Sequence, residues 1–136
     1  RRDAEAIQFE KELNDLFKKI TGDMQAAGIK ILAGSDAGAY NSYVYPGISL
    51  HKELQEFVSS GLTPLEALQA SSLNGSLFFG DYDQTGSINI GKQADLLILN
   101  ANPLSDIKNT EQIYSVVSNG KHYDKGELEK ILEEMD

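Results

Sequence analysis

The sequence predicts an α/β fold, and three observations support this prediction. A long amphipathic helix, a short apolar strand and a polar turn follow one another up to Gly38. This order is typical of an α/β barrel or a doubly wound sheet. After Gly80 the pattern changes to short strands separated by turns. We therefore expect parts of two domains, residues 1–80 and 81–136.

The first element is predicted as a helix from Ala4 to Ala27. One side of it is apolar at helical spacing, through Leu13, Leu16, Phe17, Ile20 and Met24. Gly28 stands where a helix C-terminal cap is expected. Ile29 to Ala33 is apolar and rich in isoleucine, which predicts a buried parallel strand.

Two helices are predicted after a loop that contains tyrosines. The first runs from Ile48 to Ser60 and ends at Gly61. The second begins at Thr63, where Thr63 and Glu66 form the pattern of a capping box and Pro64 fits the first turn. We expect its buried side to consist of Leu65, Leu68 and Leu73.

The remainder is predicted to be mostly antiparallel. The expected strands are Gly86 to Ile88, Ala94 to Leu99, Ile113 to Val117 and Lys121 to Tyr123. Asn119-Gly120 is the favoured pair for a two-residue hairpin turn. A helix from Lys125 to Asp136 is expected to close the chain.

The composition excludes several classes of function. A net charge of −9 and a pI of about 4.6 argue against a nucleic acid partner, because phosphate binding needs a basic surface. No apolar run approaches the ~18 residues of a membrane helix, so no membrane is expected as a partner. The sequence has no cysteine, which excludes thiolate metal sites and fits a cytoplasmic location.

Asp36 is the strongest candidate for chemistry. It follows the predicted strand directly, at the end where barrel enzymes place their catalytic groups. The alternative is an ordinary aspartate in a tight turn between Gly34 and Gly38. The residues alone leave both interpretations open.

Three motifs together closely resemble the amidohydrolase superfamily, in particular its imidazolonepropionase-like and prolidase-like branch. They are ILAGSDAG, PGISLHKELQEFVSSGLTPLEALQASSLNGSLFFG and TGSINIGKQADLLILNANPLSDI, in the order that the family has them. The resemblance implies the C-terminal part of a (β/α)₈ barrel flanked by a composite β-sandwich. Ile29 to Ala33 would be the eighth strand, Ser49 to Leu77 the helices after it, and Ser87 to Tyr123 a part of the sandwich.

The resemblance also implies the chemistry. Asp36 would be both a ligand of a divalent metal, with zinc as the expected ion, and the catalytic group that accepts a proton from the attacking water. The loop residues Tyr40 and Tyr43 would bind substrate, and His51 is a weaker candidate for the same role. Neither His51 nor His122 is expected to bind metal. The implied substrate is a small molecule with an amide or other carbon–nitrogen bond.

Too few of the family's metal ligands are present for a complete site. The chain has one barrel strand of eight, and catalytic zinc sites use three protein ligands. We therefore expect this C-terminal fragment to be inactive alone and to self-associate through its barrel-facing surface. Two alternatives remain, a non-catalytic α/β binding module and a deaminase of the same superfamily.

Overall fold

The computed structural model describes residues 3–38 and 43–134 of the chain. The chain divides into two compact units, Arg1–Ser71 and Ser72–Asp136. The first unit contains helices α1 (Ala4–Ala26), α2 (Ile48–Ser59) and α3 (Pro64–Ala70). The second contains helices α4 (Leu73–Phe79) and α5 (Lys125–Glu133) and a short 3₁₀ helix (Ile107–Glu111). Its three strands are β1 (Leu96–Leu99), β2 (Ile113–Ser118) and β3 (Lys121–Tyr123).

Local capping signals set the helix boundaries in the first unit. The Asp3 carboxylate accepts a hydrogen bond from the Ala6 amide and starts α1. Thr63 and Glu66 form the predicted capping box at the start of α3, with Pro64 in its first turn. The bounds of α1 and α2 each lie within one residue of the prediction.

The core of the first unit is small. Among the described residues of this unit, the buried apolar side chains are those of Leu54, Leu62, Ala67 and Ala70. The predicted buried stripe of α3 is wrong at Leu65, which is exposed. The helix that was expected to continue through Leu73 is interrupted at Ser71 and Ser72, where Ser72 leaves the helical region with φ −141° and ψ −76°.

Helix α1 has the predicted amphipathic pattern, but none of its residues is buried. The apolar side chains at Leu13, Leu16, Phe17, Ile20 and Met24 are each more than a third exposed. A helix of this kind is normally stabilised by packing its apolar face against another element. We refer to these five residues as the apolar face of α1.

The predicted buried strand Ile29 to Ala33 is not formed within the described residues. The segment is not assigned as a strand there, and Ile29 and Leu32 are 48% and 36% exposed. Its amides bond to helices instead: the Ile29 amide donates to the Met24 carbonyl of α1 at 3.1 Å, and the Ala33 amide donates to the Ala70 carbonyl of α3 at 2.9 Å. The physical reason is that a strand exists only through hydrogen bonds to neighbouring strands, and the described residues of the first unit offer none.

The second unit is built on an antiparallel sheet of order β1-β2-β3. Asn119 and Gly120 have φ of 49° and 77°, as a type I′ hairpin turn requires, so the predicted turn is confirmed. The Asn119 amide donates to the Asp95 carboxylate and the Gly120 amide donates to the Ala94 carbonyl. These two bonds attach the turn to the residues that precede β1.

The predicted strand Gly86 to Ile88 is wrong, since this segment is a bend. Gly86 has φ 76° and passes so close to α4 that a β-carbon on it would lie 1.7 Å from the Ser76 hydroxyl oxygen. The positive φ turns the chain out of the extended conformation. Among the helices that the structure describes, none has the length and apolarity to cross a membrane.

Candidate functional site

The turn that carries Asp36 follows an extended segment held by two successive amides. The Ala33 amide donates to the Ala70 carbonyl at the end of α3, and the Gly34 amide donates to the Glu53 carboxylate of α2 at 2.9 Å. Exposure alternates along residues 31–35, which is the period of an extended chain. The segment is therefore attached to two different helices immediately before Asp36.

Asp36 has a left-handed backbone conformation, with φ 50°. This conformation is uncommon for residues other than glycine, and aspartate tolerates it better than most. The residue is exposed. The backbone therefore turns sharply at Asp36 itself. The Asp36 carboxylate is accessible to a ligand or to a further part of a site.

The residues predicted to bind substrate are placed differently. Tyr40 lies outside the described residues. Tyr43 is 85% exposed in the loop before α2. His51 is partly exposed and lies on α2, two residues before Glu53. His122 is exposed in β3.

The residues that the structure describes do not by themselves fit a metal ion. Within 3–38 and 43–134 there is no group of three or more histidine, cysteine, aspartate or glutamate side chains that could hold one. A catalytic zinc site uses three protein ligands. Asp36 can therefore contribute one carboxylate to a site, and any further ligands would have to come from elsewhere.

Glu53 was not predicted to be part of the site. The signal that could have identified it is its position relative to the apolar residues of α2. Glu53 lies three residues after Leu50 and four before Phe57, on the apolar side of the helix. A carboxylate there needs a hydrogen-bond donor, and Gly34 is that donor.

Glu56 and Glu66 of the first unit have lowered pKa values. The Lys18 ammonium, 2.8 Å from the Glu56 carboxylate, lowers the pKa of Glu56 by hydrogen bonding and charge. The backbone amide of Thr63, together with its hydroxyl and the Gln25 amide, lowers the pKa of Glu66. Both carboxylates connect elements of the first unit, since Lys18 and Gln25 belong to α1.

The chain is similar to known proteins in sequence and in structure. The model of the Amidohydrolase family matches residues 12–122. The ochratoxinase of Aspergillus niger is 39% identical over 84 residues, which cover 60% of this chain and 16% of that protein. A solved Xaa-Pro dipeptidase with bound methionine in its active site matches with a TM-score of 0.69 and 29% identity. Molinate hydrolase matches with a TM-score of 0.70 and 27% identity.

The matched regions cover unequal shares of the chains compared. The dipeptidase match covers 79% of this chain and 25% of that chain, and the molinate hydrolase match covers 76% and 25%. The chain thus spans about a quarter of these structures and 16% of the ochratoxinase. The structural neighbours are prolidase-like amidohydrolases, as the motifs predicted. Since the family model extends over most of its residues, the chain belongs to the amidohydrolase family.

Proposed function

We propose that these residues form part of a metal-dependent hydrolase that cleaves amide or other carbon–nitrogen bonds, with Asp36 as a metal ligand and proton carrier. The observation that carries the proposal is the placement of Asp36. An exposed carboxylate stands at a left-handed turn directly after an extended segment that is attached to α2 and α3. Family membership supplies the class of reaction.

The chemistry expected of Asp36 follows from its carboxylate. Asp36 would supply one ligand to a divalent metal, with zinc as the proposed ion, and that metal would provide a water of lowered pKa for attack on the substrate carbonyl. One carboxylate oxygen of Asp36 would accept the proton of that water and then give it to the departing amine nitrogen. An exposed carboxylate on a fixed backbone suits both transfers, since it can reach the water first and the leaving group afterwards.

The proposed domain assignment places residues 1–80 in the last part of a (β/α)₈ barrel and 81–136 in a flanking β-sandwich. In that arrangement the segment Ile29 to Ala33 becomes the eighth strand, with its partner strands outside this chain. The exposure of Ile29 and Leu32 and the lack of a ladder among the described residues support this assignment. We propose that the 136 residues alone are inactive, because the part of the chain that the structure describes offers too few metal ligands.

The proposed substrate is a small amide-type molecule, bound in part by Tyr40, Tyr43 and His51. Xaa-Pro dipeptidase, molinate hydrolase and ochratoxinase are named for acting on small molecules of different structure. The exposed ring of Tyr43 suits contact with an apolar substituent of a substrate. We therefore propose the type of bond that is cleaved and not one particular substrate.

The test is Asp36→Asn in a full-length amidohydrolase that contains these residues. Asparagine also tolerates the left-handed conformation, so the backbone should be retained. We expect kcat to fall roughly 10²–10⁴-fold, the usual contribution of a general acid–base group, and bound metal to decrease. Asp83→Asn, in an exposed turn of the second unit, is the matched control.

The outcome separates the possible functions. Retained turnover with Asp36→Asn would remove Asp36 from both roles. Release of ammonia from the substrate, with no cleaved amine, would identify a deaminase, which uses the same aspartate. A full-length protein that binds a small molecule without turning it over would indicate a binding module.

A further inference from the structure

Glu53 holds the backbone of the Asp36 turn from the side of α2. The Gly34 amide that it accepts is 19 positions away in sequence and two residues before Asp36. The preceding amide, from Ala33, is bonded to α3 instead. Successive amides of an extended chain point in opposite directions. The two bonds therefore restrain the segment from opposite sides and fix the direction in which it enters the turn.

The second oxygen of the same carboxylate is notable for its burial. Glu53 Oε2 has no hydrogen-bond partner among the residues that the structure describes, although it is inaccessible to solvent. Burying a polar atom without a partner is unfavourable. A shorter or apolar side chain would avoid this cost, but it could not reach the Gly34 amide with an acceptor. The bond to Gly34 therefore forms although it leaves a buried oxygen unpaired, which lowers local stability.

We propose that Glu53 is a positioning residue, whose carboxylate fixes Gly34 and thereby the direction in which the turn presents Asp36. This inference rests on the proposed function of Asp36. Glu53 is not placed in contact with the substrate. Its effect passes through the Gly34 backbone and the two residues that follow.

The first experiment measures the bond itself in the 136-residue chain. Gly34 is exposed, so its amide depends on the bond to Glu53 for protection from solvent exchange. We expect Glu53→Ala to speed hydrogen exchange at the Gly34 amide about tenfold or more, from the usual strength of a bond to a charged acceptor. Glu53→Gln, which keeps an acceptor oxygen, should change it by less than about threefold.

Glu56→Gln is the matched control for both variants. It removes the same charge one turn further along α2, from a carboxylate that pairs with Lys18 and not with the segment. Exchange at Gly34 should be unchanged in this control. An unchanged exchange rate in Glu53→Ala would show that the bond does not restrain the segment and would overturn the proposal.

The second experiment measures catalysis in the full-length amidohydrolase. We expect Glu53→Ala to lower kcat roughly 10–100-fold with KM within about twofold, because a small displacement of a catalytic group affects the reaction more than ground-state binding. Glu53→Gln should restore most of kcat. Equal losses in the two variants, with Gly34 protection kept in Glu53→Gln, would mean that Glu53 takes part in the chemistry itself and would overturn positioning.

Glu53→Asp keeps the test decisive if Glu53→Ala does not fold. It retains the charge but withdraws the carboxylate by one methylene, so both Gly34 protection and kcat should fall. A normal kcat with lost protection would overturn the proposal. Failure of the proposed function is recognised separately, because Asp36→Asn would then remain active whatever the exchange rate at Gly34.

Discussion

Gly22 of α1 lies directly against the backbone carbonyl of Ser60, at the end of α2. A β-carbon on residue 22 would be 2.3 Å from the Ser60 oxygen, well inside the distance at which atoms repel. The missing side chain therefore allows the two helices to approach. This close approach and the ion pair between Lys18 and Glu56 both hold α1 against α2 in the first unit.

Gly22→Ala should destabilise the first unit. Alanine favours a helix by up to about 1 kcal/mol over glycine, but overpacking against a backbone atom typically costs about 1–3 kcal/mol. We expect a net loss in the free energy of unfolding, measured by urea denaturation. Gly75→Ala in α4 is the control, because a β-carbon there meets no atom within 4 Å, and it should be neutral or stabilising. Equal effects of the two changes would contradict the close approach.

The ion pair between Lys18 and Glu56 should make stability depend on pH in a defined direction. The folded pKa of Glu56 is lowered, chiefly by the hydrogen bond from Lys18. Its contribution is therefore present above the unfolded pKa and is lost as the pH falls through the folded pKa. The side chains are partly exposed, so we expect about 0.2–1 kcal/mol.

Lys18→Met tests this contribution. Urea unfolding should show the variant less stable than the parent at pH 7, with the difference shrinking toward pH 3. Lys11→Met, on the same helix, is the control. A difference between parent and Lys18→Met that grows as the pH falls would reverse the assignment.

Ser115→Ala should be neutral or stabilise the second unit by up to about 1 kcal/mol. Ser115 is 1% exposed in the middle strand, and its hydroxyl has no hydrogen-bond partner among the described residues. Removing a buried, unpaired polar group relieves its desolvation cost. The comparison is Thr110→Val, which removes a buried hydroxyl that donates to the Ile107 carbonyl and should destabilise by about 1 kcal/mol. A clear loss of stability in Ser115→Ala would indicate a partner for this hydroxyl.

We expect the 136-residue chain to self-associate through the apolar face of α1. An exposed face of five large apolar side chains is unfavourable in water, and a second copy of the chain can cover it. Sedimentation should show a mass that rises with concentration, and Phe17→Glu with Ile20→Lys should shift it toward monomer. A chain that stays monomeric at high concentration would show that the face tolerates solvent.

The sequence predicted those features of the fold that depend on neighbouring residues. The capping box of Thr63 and Glu66 and the turn at Asn119-Gly120 are both as predicted, because each is determined within a few positions. The strand Ile29 to Ala33 was not formed, because strands depend on partners that can lie far away in the chain. Gly86 was misassigned for a related reason, since its contact with Ser76 is not local to the predicted strand.

The candidate site was predictable only in part. A glycine-flanked aspartate after an apolar segment identified the turn, and its backbone is indeed unusual at Asp36. The pairing of Gly34 with Glu53 was not predicted, because it joins positions 19 residues apart and uses a backbone donor that no side-chain pattern reveals.

The attachment of the Asn119-Gly120 turn has a consequence for altering the chain. A surface hairpin turn is ordinarily a place where an insertion is tolerated. Here the amides of both turn residues are bonded to Ala94 and Asp95, outside the hairpin. Lengthening the turn by one residue would displace these two amides from Ala94 and Asp95, so both bonds would be lost. This turn therefore makes a poor entry point for an epitope tag or for circular permutation, despite its accessibility.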